Sequence, residues 1–165
     1  MSASSCSLCH FWNSSIGKKF VVAITGLILV GFLAGHLSGN LLMFVGAEAF
    51  NEYAEFLHQM LHGAGVWIAR IVLLTSLVLH VVATIQLTIA NRKSKEKRYE
   101  CGTTVKASKA SRVMIWSGLT IIAFVIFHIL HYTVRIDSRL AELGNNGDAY
   151  LMVIEGFKSI PVSAF

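Results

Sequence analysis

Three stretches of this 165-residue chain, at about 20–45, 66–90 and 113–134, are apolar over lengths that a water-soluble helix rarely sustains. About 20 mainly apolar residues carry a helix across the hydrocarbon of a bilayer, at a rise of about 1.5 Å per residue, and each stretch supplies them. The chain is therefore expected to be an all-α polytopic membrane helix bundle, one domain over 1–165, with three complete transmembrane helices and interfacial helices between them. Ile160-Pro161-Val162 reads as the start of a fourth span, with proline in its first turn. The first run follows Lys18 and Lys19 as a signal peptide would, but it is much longer than an h-region of about 7–15 residues and reads as a span.

Charge orients these spans. The net charge of +5 is concentrated between the second and third runs, where residues 91–112 hold Arg92, Lys93, Lys95, Lys97, Arg98, Lys106, Lys109 and Arg112 against Glu96 and Glu100. A basic loop between apolar spans is a cytoplasmic topology signal rather than a nucleic-acid surface. Lys18 and Lys19 place the N-terminus on the same, cytoplasmic side. Residues 46–65 contain acids but no lysine or arginine and should lie outside, as an amphipathic helix at the interface carrying Phe50, Tyr53, Ala54, Leu57 and Leu61 at helical spacing. The polar stretch 137–148 is expected to be a connection turning at Gly144-Asn145-Asn146-Gly147, and Ala149–Lys158 a short interfacial helix.

Within the spans one pattern occurs twice. Thr25–His36 reads T-G-L-I-L-V-G-F-L-A-G-H and Ser117–His128 reads S-G-L-T-I-I-A-F-V-I-F-H, so two membrane helices carry a histidine at the same place in the same context. With the topology in, out, in, out, His36 and His128 each lie roughly 6 Å outward of the midplane, while His80 lies roughly 3 Å inward. An ionisable side chain at membrane depth is costly and points to function. Two neutral imidazoles from facing helices can fill both axial positions of a haem iron, giving a closed electron-transfer centre. Zinc normally takes four ligands, and no Cys, Asp or Glu shares this depth. One haem b completed by His36 and His128 is thus expected, with His80 half-supplying a second, inner site.

Other residues take their meaning from that expectation. His131, one turn from His128, is a rival ligand or a neighbour of a propionate or quinone. Arg70, outward on the second span, is read either as the partner of an outer propionate or as a side chain reaching the surface. Gly31, Gly35 and Gly39 form a small-residue ridge for close helix approach, Gly35 also leaving room beside His36 for a flat macrocycle. Cys6-Ser-Leu-Cys9-His10 matches the pattern of covalent c-type haem attachment, but the cytoplasmic placement of this end argues against it. His58 and His62, spaced i, i+4, lack an evident third metal ligand nearby.

Four blocks, S-S-I-G-K-K-F-V-V-A-I-T-G-L at 14–27, G-H-L-S-G-N-L at 35–41, F-N-E-Y-A-E-F-L at 50–57 and H-I-L-H-Y-T at 128–133, carry a family resemblance. Together they resemble the cytochrome b membrane-anchor subunit of bacterial succinate dehydrogenases and quinol:fumarate reductases of the single-anchor, di-haem type. The resemblance implies five helices holding two b haems, flavoprotein and iron–sulfur subunits on the cytoplasmic side, and electron exchange with a quinone, menaquinone by analogy. His36 and His128 match the ligands of the distal haem, and His80 one ligand of the proximal haem, whose other ligand the family takes from the next helix. Relative to that pattern this sequence lacks the last two helices and is expected to be a truncated or split version. Such a subunit performs no chemistry on succinate itself. The quinone is expected near the outer face, with Glu55 or His58 handling the proton, and the basic loop to dock the soluble subunits. The competing readings are a haem-b membrane subunit of a hydrogenase or formate dehydrogenase, and a membrane protein without haem.

Overall fold

The computed structural model describes residues 7–94 and 109–164. Every regular element among them is helical: α1 (Ser7–Asn13), α2 (Ser15–Asn40), α3 (Ala47–Gln59), α4 (Ala64–Lys93), α5 (Lys109–His128), α6 (Ser138–Asn145), α7 (Ala149–Phe157) and α8 (Ile160–Ala164). A 3-10 turn, Leu41–Phe44, follows α2, and a π-helical stretch, Ile129–Val134, continues α5. Cys6, Cys101 and most of the basic loop, including Lys95, Lys97 and Arg98, lie outside the described residues.

Three helical stretches are long and apolar enough to cross a membrane: Ser15–Phe44, Ala64–Lys93 and Val113–Val134, with mean hydropathies of 2.3, 2.2 and 2.3. Only 6%, 11% and 0% of their most apolar windows is buried, so their aliphatic side chains face outward, as contact with lipid tails requires.

The chain divides into two compact units, residues 1–41 with 56–99 and residues 42–55 with 100–165, the boundary falling inside α3. In the first unit α2 packs along α4. The buried residues of this pair are small: Gly17, Thr25 and Gly39 on α2, and Gly65, Ser76 and Ala83 on α4. Small side chains let helix backbones approach where no solvent drives them together. The packing face differs from the expected glycine ridge. Gly39 is buried, but a Cβ placed at Gly31 or Gly35 meets no atom within 4 Å, and the α2 residues that reach α4 are Thr25 and Gly26, both at His80.

Helix α2 starts at Ser15, earlier than the apolar run suggests, because Ser14 caps it. The Ser14 hydroxyl accepts from Gly17 N at 2.9 Å and donates to Phe11 O at 2.9 Å, joining α1 to α2 at a sharp corner. The expected interfacial helix also ends sooner than its pattern. Leu61, His62 and Gly63 adopt left-handed backbone at φ 52°, 55° and 85°, which stops α3 and separates His62 from the helical face of His58.

The second unit packs its short helices on small clusters. Leu140 (2% exposed), Met152 (8%) and Phe50 (8%) are its buried apolar residues, and Phe50 meets Tyr150 edge-on at 6.2 Å. Asn51 fastens α3 to the start of α7: its Nδ2 donates to Asp148 Oδ1 at 3.2 Å and its Oδ1 accepts from Tyr150 N at 2.9 Å. Asp148 at the same time caps α7 through Leu151 N. The expected connection 137–148 is instead largely helical. Asp137 caps α6 and buried Leu140 anchors it, leaving the turn to Asn146 and Gly147. The short α7 forms where it is expected, and Ile160-Pro161-Val162 lies in the five-residue helix α8.

Candidate functional site

The histidines of the spans are held in two ways. His36 on α2 stacks on Phe32 with ring centroids 5.2 Å apart and planes at 17°. His128, at the end of α5, stacks on Phe124 at 5.7 Å and 25°. Each Phe lies one turn before its histidine, where the i, i+4 neighbour on a helix face falls. The repeated sequence thus produces a repeated local geometry, one copy in each unit.

His80 on α4 is held by a neighbouring helix. Its Nδ1 lies 3.0 Å from Thr25 Oγ1 on α2. Gly26 completes the seat, since a Cβ there would stand 3.2 Å from His80 Cε1.

At the end of α5 the backbone widens into a π turn, a form often found at functional positions. His131 lies on it, stacked on Phe127 at 5.3 Å and 16° and edge-on to Tyr132 at 4.7 Å. Tyr132 also contacts the His128 ring at 5.4 Å. His131 Nε2 and Tyr132 Oη are buried and make no hydrogen bond among the described residues. Tyr132 fits only because α7 has Gly156 opposite it, where a Cβ would stand 2.6 Å from Oη. His131 also borders a cleft of about 550 Å³ whose polar wall is formed by Asp137, Arg139, Glu155 and Lys158. Glu155 pairs with Arg139 at 3.0 Å and with Lys158. The Lys158 hydrogen bond, aided by both positive charges, holds the Glu155 carboxyl below its usual range against the opposing effect of burial.

The remaining sequence candidates are less enclosed. Arg70 is exposed, and its guanidinium lies 5.0 Å over the Trp67 ring one turn away, a partner on its own helix. Glu55 and His58 are exposed on α3, three residues apart, with the unit boundary just after Glu55. His36 belongs to the first unit and His128 to the second. No group of three or more His, Cys, Asp or Glu side chains is gathered for a metal among the described residues. Tyr132 and Gly156 were not legible as site residues, because neither the π turn nor the approach of α7 has a sequence signature.

The structure thus defines an all-helical chain with three helices able to cross a membrane and histidines seated within them. No family model, curated protein or solved structure matches it.

Proposed function

We propose that this chain is the haem b-carrying membrane anchor of a succinate:quinone oxidoreductase, passing electrons between cytoplasmic flavoprotein and iron–sulfur subunits and a quinone, in a bacterial inner membrane. The observation that carries this reading is the matched pair of Phe-stacked histidines, His36 and His128, at the same place in two repeated membrane segments. The donor set fits a haem. The set consists of imidazoles, and a Cβ at Gly31 or Gly35, near His36, would meet no atom within 4 Å. A haem held there would supply reversible one-electron transfer.

The side chains have separate tasks. His36 and His128 would hold the outer haem, and His80 would supply one ligand of the inner haem. Stacking on Phe32 and Phe124 limits rotation of the outer pair. His131 is the best enclosed of the candidates for exchanging a proton with a quinone, because its buried Nε2 has no hydrogen-bond partner while the cleft beside it opens past charged residues. Glu55 and His58 on α3 are the alternative proton carriers. Arg70, already over Trp67, is assigned to the helix surface in preference to a propionate.

The test is a reduced-minus-oxidised spectrum of the purified full chain in its complex. Absorbance bands of bis-imidazole haem b are expected, and a protein free of haem would overturn the proposal. His131→Gln, Glu55→Gln and His58→Ala, assayed with a soluble menaquinone analogue, identify the proton carrier. His131→Gln should lower quinone-linked turnover most, and full activity in that variant with haem intact would move the site to α3.

A further inference from the structure

The seat of His80 contains more information than a contact distance. Thr25 is 6% exposed, and its Oγ1 has three polar neighbours: Val21 O at 2.6 Å, Val22 O at 3.3 Å and His80 Nδ1 at 3.0 Å. A hydroxyl has one hydrogen, and a carbonyl oxygen can only accept. The short bond therefore commits the Thr25 hydrogen to Val21 O, and Oγ1 has only lone pairs to offer His80. A lone pair on Nδ1 would face another lone pair at 3.0 Å. The contact is favourable only if Nδ1 carries hydrogen and donates it. In the neutral imidazole, with one N–H, Nε2 is then left as the bare nitrogen.

We propose that Thr25 is a positioning residue that locks His80 in its Nδ1–H tautomer and directs an unprotonated Nε2 outward as an electron-pair donor to haem iron, a step that rests on His80 being a haem ligand. Gly26 is the second half of the device. Without a side chain there, the ring can approach α2 closely enough for its Nδ1 to reach Thr25. The Thr-Gly dipeptide of one helix therefore prepares the ligand carried by another. A hydrogen bond to the second ring nitrogen is the general means of fixing which nitrogen binds a metal and in what orientation.

The proposal is tested on the full chain with 15N-labelled histidine, first without haem. The His80 signals are assigned by their disappearance in His80→Gln. The wild-type spectrum should show a protonated-type shift at Nδ1 and a bare-type shift at Nε2, and the opposite pattern would overturn the proposal without any variant. Thr25→Val, nearly isosteric, should lose that preference, and Thr25→Ser should restore it. In the haem-loaded complex Thr25→Val should weaken retention of the inner haem by about 10- to 100-fold and shift its midpoint potential, with Thr25→Ser close to wild type. An unaltered tautomer in Thr25→Val would overturn the proposal. If the tautomer behaves as expected but no haem binds, the haem assignment fails and the locking of His80 stands.

Discussion

The two copies of the repeated segment behave alike in one respect and differently in another. Both stack a histidine on the phenylalanine one turn before it, at 5.2 Å in α2 and 5.7 Å in α5. Their opening hydroxyls part company. Thr25 is buried and reaches His80 on the adjacent helix, whereas Ser117 is exposed and donates only to Met114 O of its own helix at 2.9 Å. The following glycines repeat the contrast: Gly26 touches the His80 ring, while a Cβ at Gly118 meets nothing within 4 Å. A contact within one helix repeats when its sequence repeats. A contact between helices depends on which neighbour lies alongside, and α4 supplies one for the first copy.

The strongest test of the likeness is removal of the histidines. His36→Ala and His128→Ala should each abolish the same haem bands in reduced-minus-oxidised spectra, and loss of different bands would break their equivalence.

Filling the tight side of the contrast comes next. Ala83 is 0% exposed, so Ala83→Leu should destabilise the first unit by about 1–3 kcal/mol through overpacking. Leu119→Ala, at an exposed position on α5, should stay within about 0.5 kcal/mol in the same denaturation assay in detergent.

The hydroxyls themselves should differ by less. Thr25→Val leaves the His80 nitrogen without its partner and should cost about 0.5–1.5 kcal/mol, measured by thermal unfolding. Ser117→Ala should cost at most about 0.5 kcal/mol, and equal losses in the two variants would erase the distinction drawn between the copies.

The smallest effect lies away from the spans, at the clasp of Arg139, Glu155 and Lys158. The folded Glu155 carboxyl sits below its ordinary value of 4.5, so its contribution to stability is present above that pH and disappears as pH falls through the lower folded value. Protection factors for hydrogen exchange at α6 and α7, corrected for the intrinsic pH dependence of amide exchange, should therefore fall below pH 4.5 and be nearly flat above it. Glu155→Gln should remove the dependence.

Much of the fold was open to inspection in the residues. The three long helices follow from runs of apolar side chains, and α7 from its amphipathic pattern, because helix periodicity is a local property. The stacked His36 and His128 are of the same kind, since each partner sits four residues away. Places where the sequence misled were places of local capping or strain. Ser14 starts α2 early, Asp137 turns an expected connection into α6, and Leu61 and His62 end α3 by entering left-handed backbone.

Chain composition by itself determined that this protein has three helices able to cross a membrane and that two carry histidine in a common setting, because length, hydropathy and one-turn spacing are written along the backbone. Only the tertiary structure decided that α2 meets α4 through Thr25 and Gly26 rather than through Gly31 and Gly35, that Thr25 holds His80, and that Tyr132 rests on Gly156. Those choices turn on the rotation of one helix against another and on a π turn at the end of α5. Neither leaves a periodic trace, since a helix presents several small residues and the winning face is selected by the side chains it meets.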